Sequence, residues 1–149
     1  MTESDEELRL EFEVECSAEH AFETWATKTS MWWPHDHSVS GDPEISVTFE
    51  PRRGGRIYER IAAGIEHDWG EIILWDPPYR LGYLWHIGRD RSAATEVEIT
   101  FIATHAGTMV RISHRGWERV GEPGREMKER NRRGWAGLIP HYQKAFSRP

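Results

Sequence analysis

The sequence holds a single cysteine, Cys16. One thiol closes no internal disulfide and completes no thiolate metal site. Nothing in the surrounding "VECSAEH" supplies a base to activate it, so it reads as an inert side chain. No run of about 18 apolar residues is present, which leaves no candidate membrane-spanning helix. The acidic start, "MTESDEELRL", lacks the basic and apolar regions of a secretory signal, and the expected location is the cytoplasm. An excess of positive charge is missing as well. The net charge of −6 has the wrong sign for nonspecific contact with nucleic acid or anionic lipid. The one basic run, "REMKERNRR" from Arg125 to Arg133, is interleaved with acids. Glu126 with Arg130, and Glu129 with Arg133, have the i,i+4 spacing of a solvated helix face. "RRGGR" has neither the strand–loop–helix context nor the Lys-Ser/Thr ending of a phosphate loop, and reads as a turn. "HDH" offers His35 and His37 as half a metal site without a third ligand, so it reads as a solvated loop and no metal is expected. No cofactor is expected either. Repeats, linkers and low-complexity tracts are absent, and residues 1–149 are expected to form one domain, with residues 1–7 as a flexible acidic leader.

What the sequence has in plenty is tryptophan, eight in all. Three of them fall in "WGEIILWDPPYRLGYLW", Trp69 to Trp85. Their setting is read from periodicity. "LRLEFEVEC" alternates, with Leu8, Leu10, Phe12 and Val14 on one face and charges on the other, the pattern of a strand covered on one side. "SAEHAFETWAT" opens on Ser17, a natural N-cap, and places Ala21, Phe22 and Trp25 at helical spacing. Ala18 to Trp33 should hold one or two short helices, the break falling near Thr29–Ser30, since Pro34 cannot continue a helix. Period two then returns in six runs. Their inward sets are Val47 and Phe49; Ile57 and Glu59; the "HDWGEIILW" strand; Leu81, Tyr83 and Trp85; Val97, Ile99 and Phe101; and Val110, Ile112 and His114. In "HDWGEIILW" the more apolar parity is Gly70, Ile72 and Leu74, which puts Trp69 and Trp75 on the outer face as cross-strand packers. The last stretch changes period. Met127, Asn131, Trp135, Leu138, Ile139, Tyr142 and Phe146 form one stripe of a long C-terminal helix, weakened at Gly134 and Gly137 and bent or broken near Pro140.

Short turns between alternating strands imply an antiparallel sheet. A sheet polar on one face must cover the other, and the last helix is the only large apolar cover available. The fold class is therefore α+β: about seven antiparallel strands curved around a long C-terminal helix, with one or two short helices after the first strand. The wedge between sheet and helix would be lined by Phe49, Ile57, Glu59, Tyr83, Trp85, Phe101, Ile112 and His114. Trp25, Trp32 and Trp33 would close one end of it, and Trp135, Leu138 and Tyr142 another. Such a lining, mostly apolar with a few polar groups, has the character of a small-molecule site.

Six blocks in order, "FETWAT…WWP", "FEPRRGGRIYER", "WGEIILWDPPYRLGYLW", "TEVEITF", "GTMVRISHRGW" and "RRGWAGLI", resemble the activator-of-Hsp90-ATPase-like family, within the START and birch-pollen-allergen-like (SRPBCC) superfamily. The resemblance runs from about Leu8 to Phe146. It implies the helix-grip fold, in agreement with the element order read from periodicity. It also implies one of several activities: hydrophobic-ligand binding, polyketide cyclase-like or other enzymatic chemistry, or chaperone regulation. The family's eukaryotic co-chaperone carries a further domain ahead of this one. Only a short acidic leader precedes the first strand here, so a chaperone partner is expected less than a small molecule.

The leading expectation is binding of a small hydrophobic ligand, aromatic or lipid-like, without catalysis. Trp25, Trp33, Trp85 and Trp135 would supply contact area, and Glu59, His114 and Tyr142 would orient polar ends. One alternative is a cyclase- or hydrolase-type enzyme in which Glu59 and His114 pair for general acid–base chemistry. The other is a protein-interaction module that regulates a chaperone. A homodimer is compatible with each.

Overall fold

A computed structural model describes residues 7–120 and 124–146. Except for Glu7, the expected leader lies outside the described residues. Seven strands coincide with the alternating runs: β1 Leu8–Val14, β2 Ser46–Phe49, β3 Arg56–Arg60, β4 Glu66–Asp76, β5 Arg80–Trp85, β6 Thr95–Ala103 and β7 Thr108–Arg115. They form one antiparallel sheet in the order β1-β7-β6-β5-β4-β3-β2. Helix α1, Ala18–Thr27, comes after β1, and helix α2, Gly124–Lys144, ends the described chain. This is the helix-grip architecture expected from the sequence.

Local chemistry sets the boundaries. The Ser17 hydroxyl accepts from the His20 N–H at 3.1 Å and starts α1. After Thr27 the chain continues only as a 3-10 turn, Thr29–Met31, before Pro34. Helix α2 runs unbroken through Gly137 and Pro140. The amide that Pro140 lacks would have bonded the carbonyl of Ala136, which lies on an exposed turn of the helix where water can take its place. The outer face of the sheet carries charge pairs, such as Arg111 with Glu11 at 2.6 Å and Arg115 with Glu96 at 3.2 Å. Exposed pairs of this kind contribute little individually. Their role here is to keep one face of the sheet wet.

Strand β4 departs from simple alternation. Ile57 faces Gly70 while Tyr58 faces Asp68, so Trp69 is an extra residue; Ile72 faces Tyr83 while Leu74 faces Gly82, so Ile73 is another. Each bulge reverses the parity of the strand beyond it. Trp69 therefore points inward and is fully buried, and Trp75 packs its ring 5.1 Å from Phe22 on the covered face. The outward placement expected for both tryptophans is corrected by these two bulges. Gly70 makes the first one fit, because a Cβ there would lie 1.9 Å from the Leu84 carbonyl oxygen.

Most of the wedge between sheet and α2 is filled by rings. Trp25 lies 4.9 Å from Trp32 and 4.8 Å from Tyr142, Trp32 lies 5.4 Å from Trp33, and Trp33 lies 5.1 Å from Trp69. Trp69 continues to Trp85 at 5.6 Å, Trp85 to Tyr83 at 5.7 Å, and Tyr83 to Phe49 at 5.3 Å. These separations fall in the range where tilted and edge-on aromatic pairs attract. The tryptophans are thus packed largely around one another.

Candidate functional site

The packed interior stops short of one end. Between residues 127–138 of α2, the end of β5 and the turn at His35–His37 lies an open cleft of about 380 Å³. Its walls are Trp33, Trp85, Ile87, Met127, Trp135 and Leu138, and its rim carries His37, Gly88, Arg89, Arg130, Asn131 and Gly134. The volume lies within the usual range of small-molecule sites, and a mostly apolar wall with a few polar groups is their usual character.

Four of the residues expected to bind ligand are brought together here: Trp33, Trp85, Trp135 and Leu138. Trp25, Trp32, Phe49, Ile57, Tyr83, Phe101, Ile112 and Tyr142 are buried in the interior behind them and do not line the cleft. Tyr142 instead donates its hydroxyl to the Ala21 carbonyl at 2.6 Å, tying α2 to α1. His37, Ile87, Gly88, Arg89, Arg130 and Gly134 were not expected as binding residues. Met127 and Asn131 lay on the apolar stripe of the last helix but were not singled out.

Glu59 and His114 do not pair. They sit on β3 and β7, with three strands between them, and each is satisfied by other partners. The Glu59 carboxylate accepts from the Val39 N–H at 2.6 Å, the Ser40 N–H at 3.1 Å, the Ser40 hydroxyl at 2.6 Å and the Trp69 indole at 2.7 Å. Burial alone would raise its pKa, but the bonds from Ser40, Val39 and Trp69 outweigh that and hold it below the ordinary carboxylate value. Glu59 thus pins the 38–42 loop and Trp69 to the sheet. The expectation of an acid–base pair is corrected: sheet parity placed both side chains inward, but it does not report distance across strands.

His114 has a more direct bearing on the cleft. Its Nδ1 accepts from the Trp135 indole at 3.1 Å, which leaves the proton of the neutral ring on Nε2. Nε2 then donates to Thr95 Oγ1 at 2.7 Å, and Thr95 donates to the Trp85 carbonyl at 3.3 Å. The relay links Trp135 on α2 to the end of β5, two walls of the same cleft. Burial, with Arg89 nearby, pushes the His114 pKa down to about 3, so the ring stays neutral and able to accept.

On the rim, His37 places Nδ1 3.1 Å from Asp36 and rests its ring against Gly137 of α2. His35 is exposed, and among the described residues no group of three or more His, Cys, Asp and Glu side chains is arranged to hold a metal. Arg89 donates to the carbonyls of Ala93 and Trp85 and is partly buried. Arg130 has no hydrogen-bond or ion-pair partner among the described residues. The expected i,i+4 pairs along α2 are not what forms, since Glu129 meets Arg132 at 3.6 Å instead. Cys16 is half-buried, and burial raises its thiol pKa, in keeping with an inert thiol. No helix among the described residues is long and apolar enough to cross a membrane.

Comparison with curated proteins finds no match. Among solved structures, Txn09, an anthrahydroquino-gamma-pyrone synthase solved as a complex, shares 32% identity over 84% of this chain and 86% of its own, with a TM-score of 0.59. Protein CV1439 of Chromobacterium violaceum shares 16% identity over 97% of this chain and 99% of its own, with a TM-score of 0.69. An AHSA1-like protein of Aeromonas hydrophila shares 17% identity over 93% of this chain and 90% of its own, with a TM-score of 0.64. The last two likenesses concern the fold alone. Residues 15–141 match the family described as "Activator of Hsp90 ATPase homolog 1-like protein", and the chain belongs to that family.

Proposed function

We propose that the protein binds a small hydrophobic, ring-containing ligand in the cleft between α2 and the end of β5. The observation that carries this reading is the cleft of about 380 Å³ walled by Trp33, Trp85 and Trp135. Flat indole faces favour flat apolar partners, and three of them around one opening favour a ring system over a flexible chain. The 32% identity with a synthase of a polycyclic aromatic product points the same way. The test is titration of tryptophan fluorescence with polycyclic aromatic and acyl compounds, beside native mass spectrometry of protein purified from its own host. Saturable quenching by the aromatic set is expected, with affinity reduced at least tenfold in Trp85→Ala and Trp135→Ala. Failure of every compound to bind, with no retained small molecule, would overturn the reading.

A second reading, in which the bound ring system is also turned over, rests on the likeness to the synthase and on His37. His37 is the imidazole of the cleft, and Asp36 at 3.1 Å from Nδ1 orients it for proton transfer. On this reading, His37→Gln loses turnover but keeps ligand affinity.

A further inference from the structure

The chain carries a net charge of −6, yet among the described residues no carboxylate lines the cleft. The ionisable groups that line it among the described residues are Arg89, Arg130 and His37, all basic. Arg89 spends donors on the Ala93 and Trp85 carbonyls, so it is fixed in place as part of the rim. Arg130 is different. The charge pattern of α2 offers it Glu126 one turn earlier, but no such pair is formed, and Arg130 borders the cleft without a partner among the described residues. Two guanidinium groups set beside three indole faces make an opening that attracts negative charge at its rim and apolar rings at its wall.

We propose that the ligand is an aromatic carboxylate, with its rings against Trp85 and Trp135 and its anionic group at Arg130. This rests on the small-molecule reading above and narrows it. A planar guanidinium presents parallel N–H donors that match the two oxygens of a carboxylate, and such charge-assisted bonds are about twice as strong as neutral ones. Arg89, held by its carbonyl partners, contributes field without having to reorganise.

The test compares anthraquinone-2-carboxylate with its methyl ester by fluorescence titration and calorimetry, on the whole protein and on Arg130→Gln, Arg130→Lys and Arg133→Gln. Both compounds present the same rings, and only one carries charge. The acid is expected to bind about tenfold more tightly than the ester at low salt, with the gap narrowing as salt rises. Arg130→Gln should remove most of the acid's advantage, leaving only the small part due to the field of Arg89, and leave the ester unchanged. Arg130→Lys should restore part of the preference, and Arg133→Gln, outside the cleft, should keep all of it. Equal binding of acid and ester to the unaltered protein overturns the proposal while leaving the aromatic-ligand reading intact. A preference that survives undiminished in Arg130→Gln also overturns it. Binding of neither compound overturns the proposal, while the small-molecule reading falls only if the wider panel and the native mass spectrum are blank as well.

Discussion

At the scale of single residues, the buried polar groups act as fasteners. His114 holds the Trp135 indole and, through Thr95, the end of β5. His114→Phe keeps the ring but leaves the Trp135 N–H without an acceptor. The expected cost is about 1–3 kcal/mol, read from denaturant unfolding. A pH dependence arises from the depressed pKa. The unfolded chain protonates this imidazole near its ordinary value of 6.5, and the folded chain only near about 3. Between those limits the unfolded state holds more protons, so stability is full above 6.5 and falls as pH drops, by up to roughly 1.4 kcal/mol per pH unit from this group. Glu59 adds a further loss at lower pH. Its folded pKa lies below its ordinary value, so its stabilisation is present above that value and disappears as the carboxylate is protonated. Unfolding measured from pH 7 to pH 4 should show a steeper decline in the unaltered protein than in His114→Phe.

At the scale of elements, α2 is anchored along its C-terminal half, whose Trp135 and Leu138 also wall the cleft, and lies more openly over the cleft along its first half. Trp135, Leu138 and Tyr142 bury its C-terminal half, whereas Met127 and Asn131 are only half-buried over the cleft. Gly134 sits at the junction with open space where a Cβ would go. Gly134→Ala should therefore stabilise the helix by about 0.5–1 kcal/mol and raise Tm by roughly 2–4 °C. It also adds a methyl group to the cleft rim, so ligand affinity should fall as Tm rises. A rise in both would mean that nothing occupies that side of the cleft. The elements themselves were legible because period two and period 3.6 report which face is covered. They stop reporting where a strand gains a residue: the bulges at Trp69 and Ile73 defeated the parity of β4 and turned Trp69 and Trp75 inward. The cleft was legible only in part. Trp85, Trp135 and Leu138 lie on periodic elements and Trp33 in the aromatic run after α1, but Ile87, Gly88 and Arg89 lie past β5 in a loop, where no period constrains direction. Glu59 and His114 are legible from strand parity as buried polar groups. Their partners, the Val39–Ser40 loop, Thr95 and two indoles, are distant in sequence and leave no local signal.

At the scale of the molecule, the sheet, α1 and the second half of α2 share one aromatic interior, and the cleft opens where that interior ends. Backbone amides of 135–144 are expected to exchange with solvent slowly, on the scale of global unfolding, and those of 126–133 faster. A ligand in the cleft should slow the faster set most, because it bridges the first half of α2 to β5. Uniform protection along α2, with or without ligand, would show that the two halves move as one. Binding should also raise overall stability by mass action, by about 2.7 kcal/mol at a ligand concentration one hundred times Kd.

The ring contacts have an optical consequence. Trp25, Trp32, Trp33, Trp69, Trp85 and Trp135 are joined by centroid separations of 6.0 Å or less. Excitation absorbed by any of them can migrate through the others before it is emitted. An occupant that touches only the three indoles at the cleft would then dim the emission of the whole group. Removing one indole would change the brightness of the signal without silencing it, so occupancy is read from the midpoint of a titration and not from its amplitude.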